Sequence, residues 1–294
     1  MNGVMFIREE RSGQNAAEAD LLENPDQKLP LRVRSVFISD VHLGYAGCSA
    51  GFLGDFLDNT RCETIYLVGD IIHFLHLRKR PEWSASHSEF VEKNLDLTRR
   101  GTRVIYVPGN HGESMCRYDG LKIGLIEVHN KIVHTTADHR HFLVTHGDQF
   151  DSAVRCSPLL SLIGSWVYDA LLKVNARLNW GRRKTCRDYW SLAAFLESRV
   201  KNARQYIERF EQAVLAAVDH EDLQGVICGH IHRAEILNKP DSCYMNCGDW
   251  VASCTALVEH QDGLIELLQW REKSLSLKTN LVPIDSRDLP GKAA

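Results

Sequence analysis

The chain has 294 residues, of which 44% are hydrophobic and 25% charged, with a net charge of −3. That length allows one large domain with a sizeable insertion, and the acidic balance argues against a general nucleic-acid binder. No apolar run approaches the roughly 18 residues of a membrane span, and the first residues lack the basic-then-apolar order of a secretory signal, so a cytoplasmic protein is expected.

In chain order, residues 1–30 are polar and run through Pro25 to Pro30, which predicts a flexible arm ahead of a main domain over 31–271. Val36, Phe37 and Ile38 start the first strand. Apolar, β-branched runs at 65–68 and 104–107 read as buried strands. Helices are expected at 51–59 and 88–100, the second because Phe90, Val91, Leu95 and Leu97 recur at near-helical spacing. Strand, helix and strand in alternation imply an α/β class, a sheet covered by helices. Further strands are read at 131–136 and 142–145.

From residue 157 the period changes. Leu159, Ile163, Trp166, Ala170, Leu171, Val174 and Leu178 mark one amphipathic helix, and 190–218 a longer one, so 155–222 reads as a helical insertion. Strands resume at 225–228, 244–246, 251–260 and 264–270, the last two as a hairpin turning at Gln261, Asp262 and Gly263. Residues 272–294 read as a tail.

Charge and cysteines add two constraints. Residues 155–220 carry eleven Lys or Arg against six Asp or Glu, a local +5 that leaves −8 for the remainder. A basic segment in an acidic protein suits an anionic ligand or surface; a solvated helical face is the plain alternative. Nine cysteines, an odd number without a Cys-x-x-Cys pair, suit reduced thiols in a cytoplasm. Cys243, Cys247 and Cys254 fall in expected strands and read as small buried side chains rather than a zinc site.

Five short motifs then stand out: Ser39-Asp40-Val41-His42, Gly69-Asp70, Gly109-Asn110-His111, His146-Gly147-Asp148 and Gly229-His230-Ile231-His232. Most follow an apolar run, which puts them at strand ends. Taken singly they are weak, since an isolated Gly-Asp is an ordinary turn. Together they supply carboxylate, amide oxygen and imidazole, a donor set that suits Mn²⁺, Fe²⁺ or Zn²⁺ without thiolate. A lone aspartate such as Asp70 can bridge two ions, and the Asn-His pair adds an imidazole free for acid–base work. This is a kit for metal-assisted hydrolysis of a phosphate ester.

From Arg34 to Trp270 this pattern resembles the calcineurin-like metallophosphoesterases. The resemblance implies a β-sandwich of mixed sheets flanked by helices, with two divalent metals, Mn²⁺ foremost, at the strand ends. It assigns Asp40, His42, Asp70 and His232 to one metal, and Asp70, Asn110, His146 and His230 to the other. His111 becomes the catalytic histidine that binds no metal. Asp148 and Asp249 are expected to orient ligand histidines.

A narrower resemblance joins the helical insertion with the run Asn246-Cys247-Gly248-Asp249-Trp250-Val251. It is similar to the second branch of the bacterial UDP-2,3-diacylglucosamine diphosphatases, which cut a nucleotide-sugar pyrophosphate in lipid A synthesis. Three departures stand out. Gly112 replaces the acidic residue that follows the Asn-His pair, His73 replaces an aspartate, and Cys247 replaces another.

Arg78, Lys79 and Arg80 follow the Asp70 motif and either grip a phosphate or form a solvated loop. His73, His76, His134, His139 and His141 read as core or surface residues. The insertion is expected to act as a lid, with Arg182, Arg183 and Arg187 meeting phosphate or anionic headgroups, or to be a plain helical hairpin packed on the core. The leading reading is a pyrophosphatase of a nucleotide-sugar lipid, peripheral on the inner face of the cell membrane and releasing UMP. A soluble phosphomonoester or phosphodiester is the alternative substrate. An idle protein-binding scaffold is the remote third, disfavoured because it has no need of intact ligands.

Overall fold

The computed structural model describes residues 30–151, 182, 201–218, 223–240 and 242–271. The expected amino-terminal arm, most of the helical insertion and the tail lie outside the described residues.

Alternation along strand β1 (Leu31–Ile38) organises the layers. Val36 and Ile38 enter one core and Phe37 the other, because successive strand side chains point to opposite faces. Both faces are covered at the end of the strand, so Val36, Phe37 and Ile38 read as a continuous apolar run. Beside it lie β2 (Thr60–Val68), β3 (Arg103–Val107) and β5 (Ile126–Val128), all parallel. The short β4 (Lys122–Ile123) and the hairpin β11 (Thr255–Glu259) and β12 (Ile265–Gln269) complete a seven-stranded mixed sheet, in the order β12-β11-β1-β2-β3-β5-β4.

The second sheet has five strands, in the order β6-β7-β8-β10-β9. Its parallel centre is β7 (His141–Val144), β8 (Gly225–Cys228) and β10 (Cys243–Asn246). Its antiparallel edges are β6 (Ile132–Thr135) and β9 (Glu235–Asn238). Phe37, Tyr66, Val68, Ile105 and Val107 of the first sheet meet Phe142, Val144, Ile227 and Met245 of the second in a closed core. Each such buried apolar side chain contributes roughly 1.5–3 kcal/mol relative to exposure.

Helices cover the outer faces. Helix α1 (Ala50–Asp58) places Leu53 and Phe56, and α3 (Ala85–Arg99) places Phe90 and Leu97, against the first sheet. Ser84 caps α3 by accepting from the His87 amide, while the His87 ring reaches back to the Ser84 amide. Helix α4 (Lys201–Val218) lays Phe210, Val214 and Val218, one turn apart, on Leu143, Val226 and Tyr244 of the second sheet. Between α1 and α3 lies a short helix, α2 (Phe74–Lys79), which buries none of its residues.

One expected strand is shorter than its sequence implied. Residues 251–253 form a turn, and β11 begins only at Thr255. The Asp249 carboxylate accepts hydrogen bonds from the amides of Val251, Ala252 and Ser253, so those groups are not free for a ladder. Cys247 and Cys254 are fully buried just outside strands, whereas Cys243 is half-buried within β10. Burial pushes the Cys247 thiol well above its ordinary pKa, as expected of an inert packing group.

Candidate metal centre

The parallel strands all deliver their motifs at the same end. β1, β2, β7 and β8 end at Ile38, Val68, Val144 and Cys228, and Asp40, Asp70, His146 and His230 each follow two residues later. Asn110 follows the end of β3 at Val107. Backbone hydrogen bonds tie these loops together: Asp40 N to Gly69 O at 3.1 Å, His42 N to Asp70 O at 2.9 Å, Gly69 N to Val107 O at 2.7 Å and Gly229 N to His146 O at 3.1 Å.

The loops bend sharply to do this. Asp40, His42, Asp70, His230 and His232 have φ of +52°, +54°, +51°, +72° and +54°. Non-glycine residues avoid this left-handed region, so five such residues in one cluster mark a backbone held in place by its surroundings. Glycines complete the close approach. At Gly69, with φ +76°, an added Cβ would overlap the His146 ring, and at Gly109 it would overlap the Asp70 carboxylate.

Asp40 and Asp70 sit buried at the centre. Asp40 Oδ2 accepts from the Ser39 hydroxyl and from the His230 amide at 2.9 Å. Its Oδ1 lies 3.2 Å from His232 Nε2 and 3.8 Å from His42 Nε2 but accepts no hydrogen bond. Asp70 Oδ1 accepts from the His111 amide at 2.9 Å, while Oδ2 lies 3.5 Å from His146 Nε2 and 3.6 Å from His111 Nε2. His146 Nδ1 is 3.2 Å from the Val68 carbonyl and its Nε2 is 3.3 Å from Asn110 Oδ1. Asp40, His42 and His232 form one group of potential ligand atoms within 4.8 Å of one another, and Asp40, Asp70 and His146 form another.

The charges here oppose burial. Burial raises the Asp40 carboxyl, but the field of His232 and His146 holds it well below the ordinary carboxylate range. Asp70 behaves alike: burial raises it, and the His146 hydrogen bond brings it down to about 2. His232 is lowered by burial but raised by Asp40, with Asp249 adding to the effect, to about 9. His146 is likewise lowered by burial and raised to about 9 by Asp70, Asp40 and Asp148. Burial, followed by His232, depresses His42 to about 3. Two buried carboxylates among imidazoles, one carboxylate oxygen without a hydrogen bond and no thiolate make a donor set that fits divalent cations.

The remaining expected residues are placed as follows. His111 borders Asp70 and, with His42 and His73, forms a third group of nitrogens within 4.8 Å. The His73 ring, read from sequence as an ordinary core or surface residue, stands against His111 and is part of the site. Asp151 Oδ1, absent from the expected set, lies 2.9 Å from His230 Nε2 and also accepts from Tyr206 OH. Its only sequence signal was its place three residues after Asp148. Asp148 is half-exposed, and Asp249 spends its oxygens on the turn at 251–253. Arg78, Lys79 and Arg80 are all exposed. Arg182 is half-buried, and Arg183 and Arg187 lie outside the described residues.

The sequence model of the calcineurin-like phosphoesterase family matches residues 33–234, a span that holds every motif of this cluster. The chain belongs to the calcineurin-like phosphoesterases. This phosphoesterase is therefore a metal-dependent hydrolase of phosphoesters, with the dinuclear divalent metal site that the family implies. No curated protein matches its sequence. Among solved structures it is similar to a dimetal phosphatase from Danio rerio, at 13% identity and a TM-score of 0.41, covering 80% of this chain and 98% of that one. It is similar also to an archaeal phosphodiesterase, at 13% identity and a TM-score of 0.38 over 80% and 98% of the two chains. A zinc complex of Vps29 from Entamoeba histolytica gives 13% identity and a TM-score of 0.36, over 80% and 96%.

Proposed function

We propose that this phosphoesterase cleaves a pyrophosphate diester, with UDP-2,3-diacylglucosamine or a close relative as substrate and Mn²⁺ as the working metal. The observation that carries the hydrolytic part is the pair of overlapping ligand groups, Asp40 with His42 and His232 and Asp40 with Asp70 and His146, set on loops whose Asp40, His42, Asp70 and His232 are held in left-handed backbone. Asp40, His42, Asp70 and His232 would hold one ion, and Asp70, Asn110, His146 and His230 the other. Bound there, the two ions supply Lewis-acid polarisation of the phosphoryl group and neutralise charge that builds up during in-line attack.

The chain's own groups do the rest. The His111 amide is committed to Asp70, which leaves the imidazole as its contribution. Burial lowers the His111 pKa, which favours the neutral ring, and through its ring N–H that ring would hydrogen-bond the phosphoryl group and stabilise charge developing there. Asp151 holds His230, and the Val68 carbonyl holds His146, so both imidazoles keep one orientation.

Support for the lipid substrate comes from sequence: the helical insertion, its local +5 charge and the run from Asn246 to Val251. In the structure Asn246 Nδ2 donates to the Gly229 carbonyl at 2.7 Å and so steadies the loop that carries His230. Contact with an anionic membrane surface follows from the same insertion and is part of the proposal. No helix among the described residues is long and apolar enough to cross a membrane. The soluble-substrate reading draws support from a compact cavity of about 520 Å³ beside His111. Turnover of UDP-2,3-diacylglucosamine beside bis(para-nitrophenyl) phosphate, by metal-free enzyme reloaded with Mn²⁺, separates the two. A kcat/KM for the lipid no higher than for the small diester overturns the lipid assignment.

A further inference from the structure

We propose that the cavity between α2 and the 110–118 turn binds the part of the substrate that is not attacked. There Arg78 and Arg117 take a second phosphoryl group. The proposal deepens the phosphoester-hydrolase reading and rests on it.

The cavity has a volume of about 520 Å³, within the roughly 300–1,000 Å³ usual for small-molecule sites. Its lining shares Asn110 and His111 with the metal centre, so a ligand seated there is contiguous with the reacting phosphoryl group. Phe74 and Leu75 of α2 supply an apolar wall and are 36% and 48% exposed. A short helix that buries none of its own residues, yet turns a phenyl ring and an isobutyl group toward a cavity, presents apolar surface to a ligand rather than to the core.

The cations decide the chemistry. Arg34, Arg103, Arg140 and Arg233 each pair with a carboxylate. Arg78 and Arg117 both line the cavity and make no ion pair or hydrogen bond among the described residues. Against them stands one carboxylate, Glu113, which leaves a net positive lining. A guanidinium offers a planar fork of donors that matches two phosphoryl oxygens, and a free pair of them beside a phosphoesterase centre fits a second phosphoryl group. Lys79 and Arg80, expected from sequence to act with Arg78, do not line the cavity. Arg117, which no motif indicated, does.

Calorimetry of the full-length, Mn²⁺-loaded protein tests the subsite. One probe is α,β-methylene adenosine diphosphate, with two phosphoryl groups and a bridge that cannot be hydrolysed. The other is adenosine monophosphate, with one. The wild type should bind the first at least about tenfold more tightly, and Arg117→Gln and Arg78→Gln should each lose about tenfold for it, with a much smaller loss for the second. Equal affinity of the wild type for both probes, or variants that lose neither probe or both alike, overturns the proposal. Wild-type turnover of bis(para-nitrophenyl) phosphate is read separately. Absence of turnover of both that diester and UDP-2,3-diacylglucosamine in metal-loaded protein removes the hydrolase reading, whereas the binding comparison still decides the subsite.

Discussion

His73 stands edge to face against His111, with ring centroids 4.0 Å apart and planes at 78°. The residue after His111 is Gly112, which has no carboxylate to hold the imidazole. The His73 ring packs against it instead, with the His42 ring edge-on at 5.1 Å. Burial, reinforced by His111 and His76, lowers the His73 pKa to about 4, so the ring is uncharged at neutral pH and acts by packing. His73→Ala should lower kcat by about three- to tenfold with metal content unchanged, as expected when a catalytic group loses its orientation. A parallel loss of metal would show that His73 is a ligand.

His111→Ala should cost far more. Loss of an acid–base or electrostatic contributor lowers kcat by roughly 100-fold or more. Metal content, measured by elemental analysis after gel filtration, should stay at the wild-type level. Loss of metal in proportion to activity would place His111 in the metal shell.

Asp70 is the central test of the dinuclear site. Its oxygens lie near both His146 and His111, and its burial leaves little room for water to replace it. Asp70→Asn should abolish both metal equivalents, while His232→Ala should weaken mainly one. One equivalent in the wild type at saturating Mn²⁺ would exclude a shared ligand.

Gly109 should resist substitution for a local reason. An added Cβ would overlap the Asp70 carboxylate and approach His146 Cδ2 to 2.7 Å. Gly109→Ala should therefore reduce metal affinity by an order of magnitude or more, about 1.4 kcal/mol per tenfold. Equilibrium dialysis measures the affinity, and an unchanged circular dichroism spectrum would keep the effect local.

Away from the site, Glu259 sets an acid limit on stability. It is fully buried, pairs with Arg34 at 2.7 Å, lies 3.0 Å from His134 Nε2 and accepts from the Ala137 amide at 2.8 Å. Burial raises its pKa, but the hydrogen bonds of His134, Ser35 and the Ala137 amide outweigh it and bring the value from 4.5 to about 2. A depressed folded-state pKa stabilises the fold above the unfolded value, and that contribution is lost as pH falls from about 4.5 toward 2. Urea unfolding of the wild type should weaken over that interval. Glu259→Gln should be destabilised by about 1–3 kcal/mol at neutral pH, with a flatter acid response.

The sequence by itself determined the strand ends and what they carry. Runs such as 65–68 and 104–107 are buried on both faces, so their apolar character is continuous and visible locally, and the motif that follows each run must leave the sheet. The edge strand β9 is only half-buried, so it carries no such run, and the turn at 251–253 looked like strand because an aspartate two residues before it claims its amides. Only the tertiary structure decided that His73 meets His111, that Asp151 meets His230 across 79 residues, and that Arg117 shares a cavity with Arg78. Those pairs sit on different loops, and no periodicity links one loop to another. Their juxtaposition arises from the parallel pairing of neighbouring strands, β2 with β3 and β7 with β8, which sets the segments that follow them side by side at one edge.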